Sequence, residues 1–189
     1  MTKAELRKIY REKRNALTAV EQAKLNDLML IQFQQAGIPF VHSLFSYWPM
    51  EKMREPNMHL ITDFMEFRNP ELLVAYPRIT PDGSQMEAIV TNEDTRFRQN
   101  QFGTYEPEQG DAISPADLDI VLVPLLCFDK NGYRVGYGKG YYDRFLQNCR
   151  PDCLRVGFSY FKPVEEIRDK HEFDVPLSHC MTPQSIYVF

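Results

Sequence analysis

No apolar run in this 189-residue chain is long enough to cross a bilayer. The N-terminal stretch MTKAELRKIYREKR has no apolar core of the kind a secretion signal carries. Glu5 and Glu12 within it argue against a transit peptide. An excess of positive charge is also missing, with 22 Lys+Arg against 26 Asp+Glu and a net charge of −4. A protein that coats a phosphate backbone favours a strongly basic surface, so that class is disfavoured. The expectation is a cytoplasmic protein with no nucleic-acid and no membrane partner. Cysteine is sparse: Cys127, Cys149, Cys153 and Cys180. Cys149 and Cys153 stand in C-x3-C spacing with no second Cys/His pair at finger distance, and His179-Cys180 is isolated. Free thiols are expected rather than bridges or a structural zinc. Repeats, low-complexity tracts and composition breaks are absent, so residues 1–189 are read as one domain. Against these absences stand 43% apolar residues and 13 Phe, 10 Tyr and 1 Trp, enough to argue for a packed core over disorder.

Thr2-Lys3-Ala4-Glu5 and Thr18-Ala19-Val20-Glu21 both fit a helix-starting capping box. The first predicts a helix to about Leu17. The second predicts one to about Ala36, stopped by Gly37 and Pro39. Leu6, Ile9 and Tyr10 give the first helix an apolar face, and Leu25, Leu28, Met29 and Phe33 do so for the second. Lys3, Arg7, Arg11 and Arg14 form a basic line at steps of four, four and three, which by itself reads as a solvated face. Strands are expected at Val41 to Trp48, at Leu72 to Tyr76 (ended by Pro77), and at Met86 to Val90. Others are expected at Asp119 to Pro124, Leu154 to Ser159 and Ser185 to Phe189. A further helix is expected over His59 to Phe67. Asp119-Ile-Val-Leu-Val-Pro124 has the all-apolar character of a strand buried on both faces and paired in parallel. Strands interleaved with helices make an α/β layered sheet. Residues 92–116 are polar and turn-rich, and read either as a functional segment or as a surface excursion.

Chemistry concentrates between Asp129 and Leu146. Four of the nine glycines fall between Gly132 and Gly140. The segment follows the buried strand and enters a predicted helix at Tyr141 to Gln147, a position where open α/β sheets bind ligands. Gly136, Gly138 and Gly140 let backbone N–H groups face an anion. Arg134, Lys139 and the helix start add positive charge. These parts make a phosphate cradle, and Asp143 is near enough in sequence to hold a magnesium ion on the phosphates. The Walker and Rossmann patterns do not fit, because Tyr133 and Gly140 stand where the Walker loop needs Gly and Ser/Thr. The alternative is a structural glycine-rich turn.

GYRVGYGKGYYDRFL resembles the signature of the 5-formyltetrahydrofolate cyclo-ligase (methenyltetrahydrofolate synthetase) family, roughly G-x-R-x-G-x-G-x-G-Y-Y-D. Every fixed position is met from Gly132 to Asp143. The resemblance extends along the chain. Lys3 and Arg7 match the family's N-terminal Lys-x-x-x-Arg, which helps bind ATP. Glu55-Pro56-Asn57-Met58 is the nearest match to the family's E-[VI]-[DNE]-T near the folate. It departs at Pro56 and Met58, and Glu51 is a competing position. Pro77-Arg78 and Phe102-Gly103-Thr104-Tyr105-Glu106-Pro107 resemble a strand end and a substrate-facing loop. Leu125 replaces a usual glycine. Phe173 replaces a usual His beside Asp174, and Ser178 falls where a later acid is usual.

The resemblance implies an α/β three-layer sandwich with a mixed, largely parallel sheet and two N-terminal helices. It implies ATP- and Mg²⁺-dependent conversion of 5-formyltetrahydrofolate to 5,10-methenyltetrahydrofolate with release of ADP and phosphate. Lys139, Tyr141 and Arg134 are the expected catalytic residues. The expected ATP site is Lys3, Arg7, Arg134, Gly136, Tyr137, Gly138, Lys139, Gly140, Tyr141 and Tyr142. Met50, Glu55, Phe102, Glu106, Tyr137 and Tyr141 are expected to face the folate, and Asp143 and Asp174 to hold magnesium. A monomer or weak homodimer is expected. Trp48 and Tyr47 fit core or folate platform equally, and His59 and His179 read as structural. Two other functions stay open: a phosphate-ligand sensor without turnover, and an ATP-dependent ligase or kinase with another acceptor.

Overall fold

The computed structural model describes residues 1–189. The chain opens with α1 (Lys3–Asn15) and α2 (Ala19–Gln35), then β1 (Ser43–Phe45), α3 (Met58–Arg68), β2 (Leu73–Ile79) and β3 (Met86–Val90). Short strands β4 (Phe97–Gln99), β5 (Tyr105–Pro107) and β6 (Ala112–Ile113) lead to β7 (Ile120–Val123). A small hairpin of β8 (Cys127–Phe128) and β9 (Arg134–Val135) precedes α4 (Tyr141–Leu146). Strands β10 (Leu154–Phe158), β11 (His179–Met181) and β12 (Ile186–Val188) close the chain. No helix is long and apolar enough to cross a membrane.

Both predicted capping boxes form. Thr2 Oγ1 accepts from Glu5 N, and Thr18 Oγ1 from Glu21 N, with each glutamate returning to the cap backbone. Eight strands make one mixed sheet in the order β12-β11-β10-β7-β1-β2-β3-β6. The five central strands run parallel and the additions at either edge are antiparallel. Alternation along the central strands builds two cores. Leu44, Val74, Tyr76, Ile120, Leu122, Val156 and Phe158 face α2 and α3, where Met29, Phe33, Ile61 and Met65 pack on them. Phe45, Ala75, Val121 and Val123 face the other way, onto Phe145 and Leu146 of α4. Helices thus cover both faces of the sheet. β7 is wholly buried, as its apolar run requires. Each such fully buried aliphatic or aromatic side chain contributes roughly 1.5–3 kcal/mol.

Several expectations are corrected. β1 is shorter than Val41 to Trp48, and the residues beyond Ser46 leave the sheet to line a cleft. β2 does not stop at Pro77. Val74 O accepts from Thr91 on the β3 side and Ala75 O accepts from Ser46 on the β1 side. Alternation therefore turns the Pro77 nitrogen to the β1 side, past the end of β1, where no donor is needed. Residues 92–116 contain the β4–β5 hairpin and edge strand β6. The basic line on α1 is not a solvated face. Leu6, Tyr10 and Arg14 form its buried stripe, and Arg14 is only 1% exposed. The four cysteines are unpaired, in agreement with the expectation of free thiols. Leu125, at the position of the family's glycine, is accommodated by Gly157 opposite. A Cβ there would meet Leu125 Cδ2 at 2.5 Å and Leu177 Cδ1 at 2.8 Å.

Candidate active site

The chain leaves β1 toward β2 on one side and leaves β7 toward β10 on the other. Connections that depart in opposite directions open a crevice beyond the carboxyl ends of the two strands. Here it is a cleft of about 730 Å³, lined by Tyr47 to Met53 and Glu55 after β1, by Pro124 after β7, and by Gly136 to Asp143. Its size suits a ligand-binding pocket. All the residues expected from the sequence line it: Lys3, Arg7, Met50, Glu55, Phe102, Glu106, Arg134, Gly136, Tyr137, Gly138, Lys139, Gly140, Tyr141, Tyr142, Asp143 and Asp174.

The cationic end is built from three segments. Asp129, fully buried, shapes the β8–β9 turn by accepting from the amides of Asn131, Tyr133 and Ile167. That turn sets the start of the glycine loop. Gly138 and Gly140 have φ of +91° and +72°, which side chains with a Cβ rarely adopt. A Cβ on Gly138 would also lie 3.3 Å from the Arg7 guanidinium, whose Nε donates to Gly136 O at 2.9 Å. Arg134 is buried. It donates to Val175 O at 2.6 Å and to Asp143 Oδ1 at 2.9 Å. Burial lowers its pKa, and the Asp143 carboxylate opposes that shift. Lys3 Nζ donates to both oxygens of Asp174, at 2.7 and 2.5 Å. Lys139 is exposed and makes no ion pair, its ammonium 5.4 Å from the centre of the Phe102 ring.

The same cleft is lined by apolar and aromatic side chains, among them Tyr47, Trp48, Met50, Phe102 and Tyr105. The Trp48 ring packs 4.9 Å from Phe97, 5.2 Å from Tyr105 and 4.7 Å edge-on from His59. Trp48 is therefore both packed and cleft-facing, while burial holds His59 below its ordinary pKa in a structural place. Glu106 Oε1 accepts from Ile79 N at 3.0 Å and from Asn100 Nδ2 at 2.7 Å, tying the β4–β5 hairpin to the end of β2. Tyr141 donates to Gly83 O at 2.8 Å, joining α4 to the β2–β3 turn. The Tyr142 hydroxyl is buried without a partner, and its ring stacks on Phe45.

Glu55 also lines the cleft. It is buried, accepting from Tyr137 Oη at 2.6 Å and from Met50 N at 2.7 Å. Burial raises its pKa, opposed by those two hydrogen bonds and by the Arg14 charge. Glu51, the competing position, is exposed on a single 3-10 turn. Arg14 was missed as a site residue. Its spacing of four from Tyr10 was the signal that it continues the buried stripe. Phe173 is 65% exposed, and Ser178 lies away from the cleft, binding the backbone of Arg155.

No group of three acidic, His or Cys side chains converges on one point. Mg²⁺ does not require one, since it is held by one or two carboxylates with substrate phosphates and waters. Asp143 fits that demand because only its Oδ1 accepts hydrogen bonds, from Arg134 and from Val175 N, leaving Oδ2 free. Asp174 fits less directly, with both oxygens on Lys3.

The model of the 5-formyltetrahydrofolate cyclo-ligase family matches residues 1–183. A 5-formyltetrahydrofolate cyclo-ligase from Haemophilus influenzae is 43% identical over 88 residues, a segment spanning 44% of this chain and 46% of that protein. The enzyme of that name from Mycoplasma pneumoniae is 29% identical over 164 residues, 85% of this chain and 86% of that one. The solution structure of a 5,10-methenyltetrahydrofolate synthetase from Aquifex aeolicus is similar with a TM-score of 0.80 at 26% identity. It covers 100% of this chain and 93% of its own. With the family model spanning nearly all of it, and a cleft lined by Arg134 and by Gly136 to Asp143 of the signature, this chain belongs to the 5-formyltetrahydrofolate cyclo-ligase family.

Proposed function

We propose that this chain is an ATP- and Mg²⁺-dependent ligase that converts 5-formyltetrahydrofolate to 5,10-methenyltetrahydrofolate, releasing ADP and phosphate. The observation that carries this reading is the single cleft in which a glycine loop flanked by Arg7, Arg134 and Lys139 faces Glu55 and an aromatic wall. One end suits a triphosphate and the other a flat heterocycle.

An N5-formyl group is an amide, and its carbon is a poor electrophile. In the proposed reaction the formyl oxygen attacks the γ-phosphorus of ATP and ADP leaves. N10 then attacks the activated carbon, loses its proton, and phosphate departs with the former formyl oxygen. Phosphoryl transfer asks the protein mainly for positioning and charge neutralisation. Lys139, free of ion pairs, reaches for the transferring phosphoryl group. Arg7 and Arg134 hold the loop and add charge, and Lys3 serves once it exchanges Asp174 for a phosphate. The amides of Gly136 to Gly140 complete the cradle, with Tyr137 and Tyr142 beneath it. Glu55 accepts from the donor edge of the pterin, Phe102 and Met50 wall it, and Glu106 orders the loop that carries Phe102. Tyr141, fixed by Gly83, shapes the formyl pocket. Asp143 is the residue that would hold Mg²⁺, with Asp174 second. Bound there, the ion neutralises charge on the phosphoryl oxygens. No side-chain nucleophile is needed.

The test mixes purified protein with 5-formyltetrahydrofolate, ATP and Mg²⁺ and follows the near-ultraviolet absorbance of the methenyl product. Growth that requires ATP and Mg²⁺ supports the proposal. ATP binding without growth favours a sensor, and ATP consumption without growth favours another acceptor.

A further inference from the structure

The reaction as proposed gives Arg14 no task, yet its burial is extreme for a permanently charged group. Its guanidinium donates to Leu125 O after β7, to Met53 O at 3.4 Å after β1, and to Tyr137 Oη in the glycine loop at 2.9 Å. Tyr137 Oη in turn lies 2.6 Å from Glu55 Oε1. A guanidinium has donors only, so the phenol oxygen accepts from Arg14 and its single hydrogen goes to Glu55. Glu55 Oε2 accepts from Met50 N. Both carboxylate oxygens therefore accept from the protein, and a proton on either would face a donor.

We infer that Arg14 is a positioning residue which, through the Tyr137 hydroxyl, holds Glu55 ionised and aimed into the cleft as an acceptor for the N–H-bearing edge of the substrate ring. This rests on the reading of Glu55 as a folate contact. The surroundings of Glu55 support it. Arg14 comes from α1, Tyr137 from the glycine loop, Tyr142 from α4, Tyr47 from beyond β1 and Tyr160 from beyond β10, so Arg14 is the one cation that faces it. Burial pushes the Glu55 carboxyl up, and Arg14 and the phenol restrain it. Because Tyr137 stands between Gly136 and Gly138, the same hydroxyl ties the folate acceptor to the nucleotide loop.

The experiment compares Glu55→Gln, Tyr137→Phe, Arg14→Met and Arg14→Lys, with separate KM values for folate and ATP and the pH profile of kcat/KM for folate. Tyr137→Phe and Arg14→Met are expected to raise the folate KM about tenfold or more, with the ATP KM changing far less. Both are expected to move the acid limb of the folate profile up by about one pH unit, because each removes one of the restraints on Glu55. Arg14→Lys keeps the charge and returns the limb toward wild type. Tyr137→Phe leaves the carbonyl bonds of Arg14 in place, so it decides the question even if Arg14→Met does not fold. Lower melting temperatures with an unmoved folate KM and acid limb in these variants would overturn the inference while Glu55→Gln still impairs folate binding. An unaffected Glu55→Gln would instead remove the reading of Glu55 itself.

Discussion

Asp143 and Lys139 stand a few residues apart in the same loop and helix, yet they differ in what their loss exposes. Asp143 is the partner of Arg134, whose side chain is 5% exposed, so Asp143→Ala strands a buried guanidinium. The expected cost is about 1.5–3 kcal/mol of stability, which would confuse any loss of activity. Asp143→Asn keeps an acceptor for Arg134 and removes the charge a cation needs. It is expected to melt close to wild type while turnover at saturating Mg²⁺ falls roughly 100-fold. Normal turnover across a magnesium titration would reject the metal role. Lys139 is exposed and outside the hydrogen-bond network, so Lys139→Ala is expected to leave the melting temperature unchanged. Its kcat/KM for ATP is expected to fall by about 10²–10³. At this scale the sequence was readable where residues sit in a fixed local pattern, as Arg134 to Asp143 do. For Arg14 the spacing from Tyr10 pointed to burial but not to its partners, which are carbonyls and a phenol from three distant segments.

Helix α1 brings Lys3, Arg7 and Arg11 to the cleft, and its docking can be traced to named contacts. Leu6 and Tyr10 pack on Leu126, Cys127, Val135 and Ile167, while Lys3 N donates to Asp169 Oδ1 and Lys3 Nζ pairs with Asp174. Burial alone would raise the pKa of Asp174, but Lys3 and the His171 amide outweigh it, and the net shift is downward. A carboxyl held below its ordinary value contributes stability that is present above the usual carboxylate range. That stability is lost as pH falls through the lowered value. The melting-temperature gap between wild type and Asp174→Asn should therefore narrow from about pH 6 to about pH 3. A gap independent of pH would mean that the ion pair does not anchor the helix. Capping boxes and apolar spacing made α1, α2 and the buried β7 legible in advance. The β8–β9 hairpin, β4–β5 and β11 were not. They are two or three residues long, and their hydrogen bonds are set by Asp129 and by neighbouring strands rather than by local pattern.

Across the whole molecule, function follows from a topological fact. Strand order reverses between β1 and β7, and the connections leaving them bring Glu55 and the glycine loop together in one crevice, where Tyr137 donates to Glu55. The α/β class was readable from alternating strands and helices, and the placement of the loop after a buried parallel strand already pointed to the crevice. What sequence did not supply was the fit between walls: the Trp48 cluster, the Glu106 tie and the Arg14–Tyr137–Glu55 chain are long-range contacts. If one cleft activates the formyl oxygen by direct phosphorylation, that oxygen must leave in phosphate. The measurement is turnover of 5-formyltetrahydrofolate labelled with ¹⁸O in the formyl group, with mass analysis of the released phosphate. One ¹⁸O per phosphate is the predicted result. Unlabelled phosphate, with the isotope in water or formate, would contradict the direct transfer on which the proposed reaction depends.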